Sequence, residues 1–123
     1  MRRIALVALL ALLTGCGSSS TSSSADKYTQ TWTTGYDVTT CAQMLNEMTT
    51  NERRVAAADL LAAARSANGV APALPSDAMV DRFKASLEKA CASDLKVMTH
   101  PTVVTQVAVG VYLLNADTFG AAG

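Results

Sequence analysis

The stretch TTCAQMLNEMTTNERRVAAADLLAAARSANG, Thr39 to Gly69, decides the fold. Thr39 or Thr40 is placed to cap a helix, since a threonine oxygen can accept from the free N–H groups of a first turn. Cys41, Met44, Leu45 and Met48 then recur at the spacing of one helical face. Thr49 with Glu52 three residues on has the spacing of a capping box, which starts a second helix at Thr50. That helix runs to Ala67 and stops at Asn68-Gly69, a common C-terminal signal. Its inward face reads Ala56, Leu60, Leu61, Ala64 and Ala67. Side chains this small let a neighbouring helix come close.

Working outward, Pro72 and Pro75 break the chain, and Ser76 or Asp77 caps a third helix to about Ala92. Val80, Phe83, Leu87, Ala90 and Cys91 form its stripe. A connection over 93–101 holds the single histidine, His100, before Pro101. Thr102 can cap a fourth helix whose apolar side is Val104, Val107, Ala108, Val111 and Leu114. Residues 102–115 are rich in β-branched side chains and contain Gly110, so a strand is the competing reading. No second strand is evident to pair with it, and a lone strand is unstable. Abundant alanine, the best helix former, points the same way. The expected fold class is all-α, a small bundle of about four helices.

The other end of the chain reads as an address. Arg2 and Arg3 precede ten apolar residues, Ile4 to Leu13. That run is too short to span a bilayer and suits a secretory signal. Leu13-Thr14-Gly15-Cys16 resembles the bacterial lipobox. The resemblance implies a mature chain beginning at Cys16 with a diacylglycerol on its thiol, held in the cell membrane and facing outside the cytoplasm. GSSSTSSSAD, residues 17–26, has the composition of a flexible tether. The expected division is therefore a signal peptide over 1–15, a lipidated cysteine, tether and aromatic lead-in over 16–36, and a helical domain over 37–123. Cleavage leaves eight Lys/Arg against ten Asp/Glu, a net charge of −2. Nucleic-acid binding needs a basic face, so it is not expected.

With Cys16 lipidated, Cys41 and Cys91 remain, each on the apolar stripe of a different predicted helix. Disulfides persist outside the cytoplasm, so a bridge pinning the first helix to the third is expected. Two buried free thiols, or a redox-active pair despite the absence of CxxC, are the alternatives. Tyr28, Trp32 and Tyr36 lie in the polar lead-in KYTQTWTTGYDV. These rings either pack on the domain edge or form an aromatic contact surface for a partner, as aromatics at interfaces do.

No catalytic set is found. The chain lacks GxSxG, HExxH and a Gly-rich phosphate loop. His100 beside a proline reads as a solvated loop residue, and it has no second metal ligand at a useful spacing. The charged groups Glu52/Arg53/Arg54 and Asp77/Asp81/Arg82/Lys84 read as helix-surface and capping residues. The expectation is a protein that is not an enzyme, with no cofactor beyond the lipid on Cys16 and no metal.

Two resemblances bear on function. TTCAQML with a second cysteine fifty residues on resembles the small periplasmic acid-stress chaperones of the HdeA type, through Thr40, Cys41, Met44, Leu45 and Cys91. It covers about residues 37–92 and implies a helical domain with one disulfide. A lipid anchor and high alanine content depart from that group. The whole layout is also similar to short lipoproteins of actinobacteria and their phages, which combine a lipobox, a Ser/Thr tether and a two-cysteine helical domain. That likeness implies a surface-held interaction module, with an incoming phage's tail protein as one partner class and superinfection exclusion as the outcome.

Overall fold

The computed structural model describes residues 28–71 and 73–121. The expected signal peptide with its lipobox Leu13, Thr14, Gly15 and Cys16, the expected Ser-rich tether, and Pro72 lie outside the described residues. The domain is all-α. A 3-10 turn at Tyr36–Val38 leads into α1 (Cys41–Asn46), α2 (Thr50–Ala67), α3 (Asp77–Val97), α4 (Val104–Leu114) and the short α5 (Ala116–Phe119).

Local chemistry sets the starts and stops. The Thr40 hydroxyl accepts from the Gln43 N–H at 3.1 Å, and the Gln43 side chain accepts from the Thr40 N–H at 2.9 Å. Thr49 and Glu52 repeat the arrangement at 3.0 and 2.9 Å, the reciprocal capping expected for α2. At the other end Gly69 has φ 74°, where the lack of a Cβ removes the penalty. The Gly69 N–H donates to Ser66 O and the Val70 N–H to Arg65 O, so the last carbonyls of α2 are satisfied in a Schellman arrangement. Ser76 caps α3 by accepting from the Met79 N–H.

α3 runs five residues past the expected end at Ala92. Ser93 to Lys96 are all compatible with a helix, and the stop comes at Met98, extended, shortly before Pro101. Thr102 does not cap α4, which begins at Val104 with no side-chain cap. The backbone there is used differently: the Cys41 N–H donates to Thr102 O at 2.9 Å, and the Val104 N–H to Thr39 O at 2.8 Å. The β-branched run thus yields one isolated bridge, Thr40 to Val103, and then a helix.

The core centres on Phe83, Leu61, Met44, Leu87, Val80 and Val104, all buried. The expected bridge is present: Cys41 and Cys91 are joined with Cα atoms 5.1 Å apart, tying α1 to α3. Two expected core positions are not in it. Ala67 is exposed, and Leu114 is 85% exposed. In α2 the buried residues include Val55, Ala57, Ala58 and Arg65, a face rotated from the one read in the sequence. Alanine all round a helix leaves its facing ambiguous, and Arg65 fixes it. In α4 Tyr112 turns inward while Leu114 sits on the flank. The chain after α4 adds α5, whose Phe119 meets Phe83 edge-on at 5.1 Å.

Arg65 is wholly buried. Its guanidinium donates to Phe119 O at 2.8 Å, Ala121 O at 2.7 Å and Ala73 O at 3.2 Å. One cation therefore holds both the linker before α3 and the segment after α5.

Candidate functional site

The aromatic lead-in packs on the edge of the domain, one of the two arrangements expected for it. Tyr28 is buried, and its hydroxyl donates to Asp77. The Arg54 guanidinium lies 5.4 Å over its ring. Trp32 is half-buried and donates from Nε1 to Thr39 Oγ1 at 2.9 Å. Tyr36, also half-buried, donates to Asp59 Oδ2 at 3.0 Å. Each ring packs on apolar neighbours while its polar tip finds a partner.

Burial and the Asp77 hydrogen bond push the Tyr28 phenol up to about 12. Burial and the Asp59 carboxylate raise Tyr36 as well. Burial also raises Asp59, only partly offset by the hydrogen bond from Tyr36. Glu52 is lowered, chiefly because its carboxylate accepts the Thr49 N–H.

Four of the charged residues singled out in the sequence form ion pairs, two of the pairs across α2 and α3 and one along α3. Arg53 meets Glu88 at 3.0 Å, Lys84 meets the same carboxylate at 3.1 Å, and Arg54 meets Asp81 at 2.8 Å. His100 is exposed in the connection between α3 and α4. Among the described residues no group of His, Cys, Asp and Glu is placed to hold a metal ion. No described helix is long and apolar enough to cross a membrane.

α4 is different. No charged residue occurs from Val104 to Leu114. Its outer side shows Val109 at 54% and Leu113 at 61% exposure. A shallow groove of about 420 Å³ runs along the outer side of its contact with α3. On the α3 wall stand Ala90, Ser93, Asp94 and the 73% exposed Val97. The α4 wall is Val107, Gly110, Val111 and Leu114. A Cβ built on Gly110 would meet nothing within 4 Å, so the groove floor is open there. A second groove of about 220 Å³ lies on the opposite flank, against Leu60, Ala63 and Ala64 of α2.

This arrangement offers apolar surface and shape rather than acid–base chemistry. Sequence reasoning placed Val107, Val111 and Leu114 on one side of α4 but assigned that side to the core. The signal for a groove was available in Gly110 and in the small residues Ala90 and Ser93, whose reduced bulk leaves room between two packed helices. No protein family, no curated protein and no solved structure matches the chain, so the candidate site stands on its geometry alone.

Proposed function

We propose that this protein is a noncatalytic interaction module held at the outer side of the cell membrane by a lipid on Cys16. The observation that carries the proposal is the uncharged α4 face with its open groove and exposed Val109, Leu113 and Leu114. Uncovered apolar surface next to a groove marks an interaction site in a soluble domain. Eleven residues separate Cys16 from Tyr28, enough to span at most about 40 Å, so the face would work close to the bilayer. Two acyl chains hold such an anchor where one is marginal. The partner class favoured by the layout is a protein arriving at that surface, such as the tail protein of an incoming phage.

Plating efficiency tests this. Cells producing the lipidated protein should exclude one or more phages of a panel, and cells producing Cys16→Ala should not. Equal protection by the secreted Cys16→Ala form would remove anchoring from the function. No protection against any phage would remove superinfection exclusion.

A second reading, an acid-stress chaperone of the envelope, draws on one specific feature. The disulfide holds α1 to α3, while α2 is held to α3 partly through Glu88 and Asp81. In strong acid the ten carboxyls of the mature chain are neutral and its eight Lys/Arg side chains repel one another, while the disulfide keeps α1 on α3. The mature chain should then suppress aggregation of a client protein at about pH 2 to 3 and not at pH 7. Absence of client protection in acid sinks this reading.

A further inference from the structure

We infer that the groove between α3 and α4 receives an amphipathic α-helix of the partner, one with large apolar side chains and an acidic flank. This rests on the interaction-module reading and names the chemistry of its partner.

Spacing is the first argument. Ala90, Ser93 and Val97 on α3 lie at i, i+3 and i+7. Val107, Gly110, Val111 and Leu114 on α4 lie at i, i+3, i+4 and i+7. Two helices each present a heptad-like seam to one channel, and a third helix fits such a channel by setting its side chains into the holes. Size is the second. Ala90, Ser93 and Gly110 are small, and the space above Gly110 is empty of neighbours. The occupant must therefore bring the bulk, as Leu, Ile or Phe.

Charge is the third argument, and it selects the partner. Arg82, Lys89 and Lys96 recur every seven residues along α3, and all three are exposed. Lys89 and Lys96 immediately precede the seam residues Ala90 and Val97, the place where flanking charges of a coiled coil sit. None of the three has an ion-pair partner among the described residues, although Lys84 on the same helix does. A helix lying in the groove with Asp or Glu along that edge would pair with the whole row. Asp94 borders the seam on its other side and favours a single basic residue there, which fixes the direction of the incoming helix. A second copy of α4 has no charge to offer the row. A bilayer pressed on this face would meet the Asp94 carboxylate with no cation of its own to offer.

The test uses the mature chain, residues 16–123, carrying Cys16→Ala with its disulfide intact. The probes are two labelled synthetic 21-residue peptides with Leu at the a and d positions of each heptad. One has Glu at e and g, the other Lys. Fluorescence anisotropy should show saturable binding of the Glu peptide and at least about tenfold weaker binding of the Lys peptide. The double variant Lys89→Glu with Lys96→Glu should reverse that preference. Gly110→Leu fills the groove from an open position, so it should abolish binding of both peptides with the circular dichroism unchanged. Equal affinity for the two peptides, no binding of either, or Glu-peptide binding that survives Gly110→Leu overturns the inference. So does a dimer in sedimentation that Leu114→Asn dissociates, which would assign the groove to a second copy. Uptake onto phosphatidylglycerol vesicles without peptide binding overturns it in favour of a lipid surface. Because the chain in this assay is unlipidated, failure here concerns the groove alone, whereas the plating comparison of Cys16 with Cys16→Ala decides the anchored function.

Discussion

α3 packs against α1, α2 and α4, and its seams with α2 and α4 are built from opposite materials. Against α2 it carries Asp81 and Glu88 bound to Arg54 and Arg53, with Tyr28 packed alongside. Against α4 it carries small residues, an open groove and a helix without a charge or a side-chain cap. The first seam is closed by specific, directional contacts. The second is held by burial of Val104, Ala108 and Val111, and its outer half is unfilled. Stability is concentrated in one half of the bundle, which leaves the other half free to bind.

The sharpest way to break this contrast is to remove the disulfide, which belongs to the closed half. Cys41 and Cys91 enclose a separation of 50 residues, and closing such a loop is worth about 4 kcal/mol in the chain-entropy picture. Domains of this size have stabilities of about 5–15 kcal/mol. The Cys41→Ala/Cys91→Ala variant should therefore lose much of its stability in denaturant titrations, and reductant should do the same to the native chain. An unchanged midpoint would mean that α1 is held by packing alone.

Next in size is Arg65→Met. Methionine keeps the apolar stem and removes the donors, stranding the carbonyls of Phe119, Ala121 and Ala73. Hydrogen bonds to a charged group contribute about 1.5–3 kcal/mol each and do not add fully, so a loss of about 3 kcal/mol is expected. Hydrogen exchange should quicken first in α5 and in the linker before α3. A uniform rise across all helices would contradict the assignment of Arg65 as a local clamp.

What the residues disclosed beforehand follows the same division. The caps at Thr40, Thr49 and Ser76 and the stop at Gly69 were readable because each acts within one turn of its own helix. The disulfide was readable because Cys41 and Cys91 fell on separate apolar stripes. Arg65 was not, since an arginine on an alanine-rich helix reads as surface, and two of its acceptors, Phe119 O and Ala121 O, lie more than fifty residues away in sequence. Packing of Tyr28 on the domain edge was one of two readings, but its partners Asp77 and Arg54 were not legible because they sit on two different helices. Leu114 was misplaced because periodicity gives a face and cannot say whether a neighbouring helix is close enough to cover it. The groove at Gly110 depends on that same distance.

Titration offers a milder probe of the closed half. Tyr28 and Tyr36 are both raised in the fold, chiefly by burial. Their neutral forms are thus favoured by folding, and that stability is fully present below the ordinary value of 10.0. It should be lost as pH rises from there through about 12, the folded value of Tyr28. Circular dichroism and phenolate absorbance should change together in that window, and Tyr28→Phe should lessen the loss. Asp59 has the opposite meaning. Its carboxyl is also raised by burial, so the charged form costs stability at neutral pH and protonation relieves it. Asp59→Asn keeps an acceptor for Tyr36 and should stabilise slightly at pH 7, with the gain shrinking as pH falls.

The smallest effect tests the open half directly. Glycine inside a helix costs about 0.5–1 kcal/mol relative to alanine, through the extra freedom of the unfolded chain. At Gly110 nothing in this chain compensates, because its φ is not in the left-handed region and a Cβ would touch no neighbour. Gly110→Ala should therefore stabilise the domain by about that amount, a gain that contrasts with the losses expected from the disulfide and Arg65 variants. If it instead destabilises, α3 lies closer to α4 than the groove allows, and the contrast between the two seams fails. If it stabilises while weakening partner binding, the residue is retained for what the groove must accept, and the cost in helix stability measures how much the binding requires.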